Sequence, residues 1–385
     1  MEKVYQKYPD DHEAAAFYAL SLLTSEPDDD TTFANRKQAG AILEKLFAEE
    51  PDHPGIAHYL IHTYDKPQLA QLGLPAARRY AQIAPAAPHA LHMPSHIFAR
   101  LGLWQDDINS NLASIAATRK ATEMNMGGEG HQFHAMDYLV YAYLQSGREA
   151  DALKVIEEVK AMPPMKDMYG MGYDPRVYAL VAFPARYALE LHHWAEAAAL
   201  TFVPDTDGGD AAITYWARAI GAARSGNVAQ ARADIEHIDA IHKTLLGQKK
   251  KNYAEAVDQD RKEAVAWLDH VEGRNDAAIA ALRAIAEKEE ASGDESDGGT
   301  PAREMIADML LEMKRPEQAL TEYQADLKFN PNRFNGVYGA AQAAEMAGQA
   351  SEATEYYAVL VKSCEGSSSE RPELEKAKQA VVAQK

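Results

Sequence analysis

Two pairs of histidines are spaced four residues apart, His58/His62 and His92/His96. On a helix that spacing lets both imidazoles of a pair reach one metal ion. The pairs belong to a wider cluster: eight of the 14 histidines fall within residues 53–134, where an even spread would put about three. Three short stretches carry them. HPGIAHYLIHTYD holds His58, His62 and Asp65; PHALHMPSHIFAR holds His89, His92 and His96; GHQFHAMDYLVYAY holds His134, Asp137 and Tyr141. Burying many such side chains without partners would be costly, so a shared ion accounts for them better than separate structural roles. The expected metal-ligating set is His58, His62, Asp65, His92, His96, His134 and Asp137. Imidazole with carboxylate points to zinc, iron or manganese rather than copper. Asp65 and Asp137 suit either direct ligation or the orienting of a ligating histidine. Met162, Met165, Met168 and Met171 form a second, thioether run of the kind that favours Cu(I). Pro163, Pro164 and Gly170 make that run a loop whose adaptable methionines fill gaps on neighbouring helices. The lone Cys364 excludes internal disulfides and Cys-based zinc clusters.

For these residues to meet, adjacent helices must present them on one face. β-branched runs and Asn-Gly hairpin signals are almost absent, while Ala-, Leu- and Glu-rich segments recur in pairs, so the fold class is all-α. One small or aliphatic residue sits midway along the first helix of each pair: Ala19, Ile61, Ser95, Val140, Ala185, Ala219, Ala266, Ala307 and Ala341. Seven residues later a glycine falls at Gly102, Gly147, Gly226, Gly273 and Gly348, where a helix–helix turn needs a left-handed residue. Twelve residues later an alanine falls at Ala152, Ala197, Ala231, Ala278, Ala319 and Ala353, where the second helix approaches the first closely.

This register resembles the tetratricopeptide repeat (TPR) family. The stretch REMIADMLLEMKRPEQALTEYQADLKFNP matches it well, with Ala307, Ala319 and Pro331 at the family's marked places. Asp107 departs from it by replacing the second-helix alanine, and Ile61 and Val140 are larger than usual. The resemblance implies a right-handed TPR-type α-solenoid of about nine helix-turn-helix units, running as one array over 1–385. His-rich units would occupy 12–164, acidic and aromatic units 175–364, and a polar capping helix 370–385. EKVYQKYP reads as the tail of a second helix whose partner would precede Met1. The resemblance further implies that first helices line a concave, ligand-binding face. On that stripe the histidine units are followed by Arg186, then by Trp216, Asp260, Glu263, Trp267, Glu304 and Asp308.

Charge narrows the partners. Lys plus Arg number 39 against 58 Asp plus Glu, a formal net charge of −19, which argues against nucleic acid. No apolar stretch approaches a membrane span, and the N-terminus has no signal-peptide core. Cytoplasmic is the default compartment, unless a targeting segment precedes Met1. No nucleophile motif, phosphate-binding glycine loop or dinucleotide fingerprint is present. The expected function is a His/Asp transition-metal site, serving a metal-dependent hydrolase or oxidase for a small anionic substrate. Arg186, Tyr141 and His89 would contact that substrate. The alternative is a non-catalytic scaffold that binds a peptide or protein along the acidic, aromatic groove.

Overall fold

The computed structural model describes residues 1–27, 30–126, 129–164, 174–204, 206, 208–293 and 299–383, and among these every regular element is a helix. Met165, Met168 and Met171, and the centre of the acidic segment 291–300, lie outside the described residues. The chain divides into two compact units. The first comprises Met1–Ala142 with Glu289–Asp294 and Lys328–Pro331, and the second comprises Tyr143–Lys288, Glu295–Leu327 and Asn332–Lys385.

In the first unit a short α1 (Glu2–Lys7) precedes α2 (His12–Thr24) paired with α3 (Ala34–Glu49), and α4 (Pro54–Tyr64) paired with α5 (Ala70–Ile83). The next first helix is broken into α6 (Pro88–His92) and α7 (Pro94–Arg100), both against α8 (Trp104–Glu123). Helix α9 (Glu129–Gln145) follows and runs past Ala142 into the second unit, to which α10 (Glu149–Ala161) belongs. The second unit continues with α11 (Pro175–Glu190) and α12 (Trp194–Ala198), then α13 (Gly208–Arg224) and α14 (Val228–Gly247). After these come α15 (Lys251–Val271) with α16 (Asn275–Ser292), and α17 (Ala302–Glu312) with α18 (Pro316–Asp326). Last come α19 (Phe334–Met346) with α20 (Ala350–Ser363), and α21 (Pro372–Ala383), which lays Leu374 and Ala377 on the array's end.

The repeat register explains this arrangement. Ala19, Ile61, Ser95, Val140, Ala219, Ala266, Ala307 and Ala341 are fully buried midway along first helices. Ala152, Ala197, Ala231, Ala278 and Ala319 are fully buried on second helices, where a larger side chain would hold the helices apart. Each pair is therefore a TPR-type helix hairpin, stacked on its neighbours in the α-solenoid manner within its unit. The turns use left-handed backbone: Gly102, Gly147, Gly226, Gly273 and Gly348 have φ of 62°, 66°, 79°, 83° and 77°. His192 (φ 55°) and Lys314 (φ 59°) hold the equivalent positions without being glycine. A side chain there clashes with its own backbone. Lys314→Gly is expected to stabilise the protein by roughly 0.5–1 kcal/mol, and Gly226→Ala to destabilise it by about 1 kcal/mol. A β-carbon at Gly226 would meet nothing within 4 Å, so its cost is conformational alone. Urea unfolding midpoints of the two variants check both signs.

Charged groups are built into the second unit's core. The guanidinium of Arg333, fully buried, donates to Glu304 at 3.0 and 3.1 Å and to Glu190 at 2.7 Å. Glu190 also accepts from Gln145 Nε2 at 3.0 Å, and Gln145 Oε1 accepts from the Phe334 amide at 2.9 Å. Arg371 lies over the Phe334 ring at 3.5 Å and donates to Asn335 Oδ1 at 2.7 Å. Cys364 is buried, which pushes its thiol pKa up to about 12 and leaves it unreactive. No described helix is long and apolar enough to cross a membrane.

Candidate metal centre

Helix α4 begins with Pro54 at its first turn, and the His53 side chain accepts from the Ile56 amide at 3.2 Å. The helix then projects His58 and His62 one turn apart. The next first helix should continue from Pro88 to Arg100, but Pro94 lacks an amide hydrogen and its ring crowds the carbonyl four residues back. The helix therefore stops at His92 and restarts at Pro94. His89 and His92 lie on α6, His96 on α7, and His131 and His134 on α9. Serines of α8 anchor the broken helix: Ser114 Oγ donates to the Pro88 carbonyl at 2.8 Å and Ser110 Oγ to that of Leu91.

Six of these imidazoles form two triads, His58/His62/His89 and His92/His96/His134, with all three ligand atoms of each triad within 4.8 Å of one another. In the first, His58 Nε2 lies 3.0 Å from both His62 Nε2 and His89 Nε2. In the second, His92 Nε2 and His96 Nε2 are 3.1 Å apart, and the His134 ring sits 4.5 Å from that of His92. A tetrahedral ion with metal–nitrogen bonds of about 2.0–2.1 Å has ligand–ligand edges of roughly 3.3–3.4 Å. The His58–His62, His58–His89 and His92–His96 separations reach that with shifts of a few tenths of an ångström.

Behind the second triad run two polar chains. His92 Nδ1 lies 2.7 Å from Asn111 Oδ1, and Asn111 Nδ2 donates to Asp107 Oδ1 at 2.6 Å; all three residues are buried. Oxygen acceptors require the proton on Nδ1, which leaves the His92 Nε2 lone pair facing the triad. His96 Nδ1 lies 3.0 Å from Asp65 Oδ2, and Asp65 Oδ1 accepts from Arg100 Nε at 3.0 Å. The Tyr138 hydroxyl is 3.1 Å from the same His96 nitrogen. Burial raises the Asp65 pKa, but His96 and Arg100 outweigh it and hold the carboxyl well below the usual range. Asp65 is thus an anion at the rear of His96.

Burial also favours the neutral form of His58, His62, His89, His92 and His134, the form that binds metal. It lowers the His58 pKa to about 3, helped by His62 and His89, and the His89 pKa to about 4, helped by His131 and His62. His92 is driven well below its ordinary value by burial and then by His96 and His134. Unfolded imidazoles titrate near 6.5. Between about pH 6.5 and 4 the unfolded chain therefore binds more protons than the folded one, so lowering the pH through that window removes stability. The melting temperature of chelator-treated protein should fall steadily from pH 6.5 to 4.5. A His58→Gln/His89→Gln variant should show a shallower decline.

Asp137 lies one turn beyond His134 on α9, and its charge favours protonated His134, but its oxygens belong to neither triad. Tyr141 sets its ring edge-on to Trp104, with centroids 5.5 Å apart. Arg186 is buried on α11, within the second unit. Among the residues expected on the acidic groove, Trp216, Glu263, Trp267 and Glu304 are buried rather than partner-facing. Trp216 Nε1 donates to Glu263 at 3.0 Å, and Glu304 is taken up by Arg333. Asp260 and Asp308 are half-buried. Burial, then Glu304, raises the Asp308 pKa to about 7, and its carboxyl accepts from the Tyr323 hydroxyl.

Sequence reasoning missed Asn111, Arg100 and Tyr138. The signal for Asn111 was Asp107, the carboxylate standing where repeats carry alanine. For Tyr138 it was the four-residue spacing from His134. Asp65→Asn should weaken metal binding roughly 10- to 100-fold, because it removes the anion that holds His96 in its tautomer and orientation. Competition against a chromophoric chelator measures it.

No family model and no curated protein matches the chain. It is similar to solved helical-repeat structures. One is a tetratricopeptide repeat protein from Parabacteroides merdae, 13% identical, covering 77% of this chain and 98% of that one, with a TM-score of 0.35. Another is the TPR domain of P58(IPK), 13% identical over 97% of this chain and 99% of that one, TM-score 0.27. A third is a human IFIT1 dimer with m7Gppp-AAAA, 13% identical over 94% of this chain and 76% of that one, TM-score 0.35.

Proposed function

We propose that this protein is a metal-dependent enzyme, whose principal ion is held by His92, His96 and His134 and whose substrate is a small anion. The observation that carries the reading is the pair of polar chains, Asp107–Asn111–His92 and Arg100–Asp65–His96. Each fixes a tautomer and turns an Nε2 lone pair toward the same point, an arrangement that histidines held only for packing do not need. Three imidazoles suit zinc or iron, and with Asp65 and Asp137 in neither triad the expected preference for manganese over copper loses its carboxylate ligands. Three protein ligands leave a coordination position open, as catalytic sites do. The bound ion would supply Lewis acidity and an activated water, or a redox centre in an oxidase. Neutral imidazoles leave most of the ion's charge uncompensated, and Asp65 is already paired with Arg100, so an anionic substrate is favoured. The Tyr138 hydroxyl, 3.1 Å from His96 Nδ1, joins the polar groups behind that ligand.

The rival reading, a scaffold that docks a peptide on the second unit's acidic stripe, is weakened by the burial of Trp216, Glu263, Trp267 and Glu304. The deciding experiment is elemental analysis of protein purified without chelator. Bound transition metal, with hydrolase or oxidase turnover that chelator removes and metal restores, supports the enzyme. No bound metal, and no thermal shift with zinc, iron, manganese or copper, overturns it.

A further inference from the structure

We propose that the first unit holds two metal ions of unequal affinity, the second and weaker one at His58, His62 and His89. The inference rests on the reading that His92, His96 and His134 bind metal. It adds a second ion with a different character.

The first triad has the donor geometry of a site. Its central nitrogen, His58 Nε2, stands 3.0 Å from both partners, near the edge length of a tetrahedral ligand set. The three rings come from two elements, α4 and α6, so no single helix places them together by default. His58 is fixed in orientation by stacking on Tyr80, with centroids 5.5 Å apart and planes at 14°.

What the triad lacks is support. Among the described residues no carboxylate or amide stands behind His58, His62 or His89, whereas His92 has Asn111 and His96 has Asp65. Missing acceptors of this kind cost about 10- to 100-fold in metal affinity. Each triad has one exposed member, His62 in the first and His134 in the second, so exposure separates them only at His92, which is 2% exposed.

The two ions would be neighbours. His89 and His92 are three residues apart on α6, a spacing that puts β-carbons about 5–6 Å apart, and each belongs to a different triad. Six neutral ligands bring no charge to offset two divalent ions, so filling the better-supported site first makes the other harder to fill. The ordering is thus built in twice, by support and by repulsion. A pair of adjacent ions also gives an anionic substrate two points of attachment, one on a fixed ion and one on an exchangeable ion.

The test is zinc titration of chelator-stripped, full-length protein, followed by calorimetry and by competition with a chromophoric chelator. The expected wild-type result is two equivalents, the second bound at least 10-fold more weakly. His62→Ala changes an exposed side chain and should remove the weaker equivalent while leaving the tight one within about 2-fold. His62→Gln should behave the same way, which guards against a folding artefact. His96→Ala should remove the tight equivalent and leave a weak one. A single wild-type equivalent unaffected by His62→Ala overturns the second site and leaves the principal one standing. Two equivalents of equal affinity, or two that both survive His62→Ala, also overturn the inference. No zinc bound to any form would sink the principal site with it.

Discussion

Arg333→Met is expected to cost about 3–5 kcal/mol of stability, because it strands two carboxylates in the interior of the second unit. Glu190 and Glu304 are 2% and 0% exposed, and Arg333 is the cation that donates to both. Methionine fills similar volume, so the loss measures stranded charge more than a cavity. Burial raises the Glu304 pKa even against the pull of Arg333, and removing the guanidinium would raise it further. Part of the loss should then be recovered at low pH, which a packing defect would not show. Glu304→Gln provides the contrast. It leaves Arg333 paired with Glu190 and keeps a side chain of the same shape, so a smaller loss is expected. Urea unfolding midpoints at pH 7 and pH 5 separate these outcomes. Equal losses for both variants would show that the network contributes shape alone.

The second large effect concerns the metal. A His92→Ala/His96→Ala variant should lose the tight equivalent entirely, a change of at least 1,000-fold in affinity when two of three ligands are gone. The thermal readout follows from mass action: an ion present at 100 times its dissociation constant stabilises the wild type by about 2.7 kcal/mol. The wild type should therefore melt several degrees higher with metal than without, and the double variant should not respond. A variant that still binds tightly, or a wild type with no metal-dependent shift, contradicts the assignment. Asn111→Ala refines the result. It leaves every ligand in place but unpins the His92 tautomer, so affinity should drop while stoichiometry holds.

Much of the fold was legible in the sequence because helix hairpins tolerate only small residues at their closest approach. Ala19, Ala219, Ala307 and their equivalents fix where each helix lies, and glycines such as Gly226 fix where it turns. Lys314 escaped notice as a turn residue because it carries the strain instead of avoiding it. Histidines four residues apart share a helix face whatever the surroundings, so His58/His62 and His92/His96 declared themselves. How His89 and His134 join them depends on the placement of α6 and α9, which spacing within one helix cannot supply. The acidic stripe went astray for a related reason. Glu304 finds its cation 29 residues later in Arg333, and the Trp216 indole finds Glu263 47 residues away. A periodicity argument sees a polar face there; only the packed helices turn it into an interior.

The break between α6 and α7 has a consequence for local motion. At five and seven residues, neither segment is long enough to persist as a helix without its neighbours. Their amides should therefore exchange with solvent through openings smaller than global unfolding, and those openings separate His89, His92 and His96 from their partners. A bound metal would hold only the closed form, so occupancy should slow exchange across residues 89–100 more than in the long helices α8 or α15. That short, proline-interrupted stretch would then be a gauge of the metal content of the whole proposed centre.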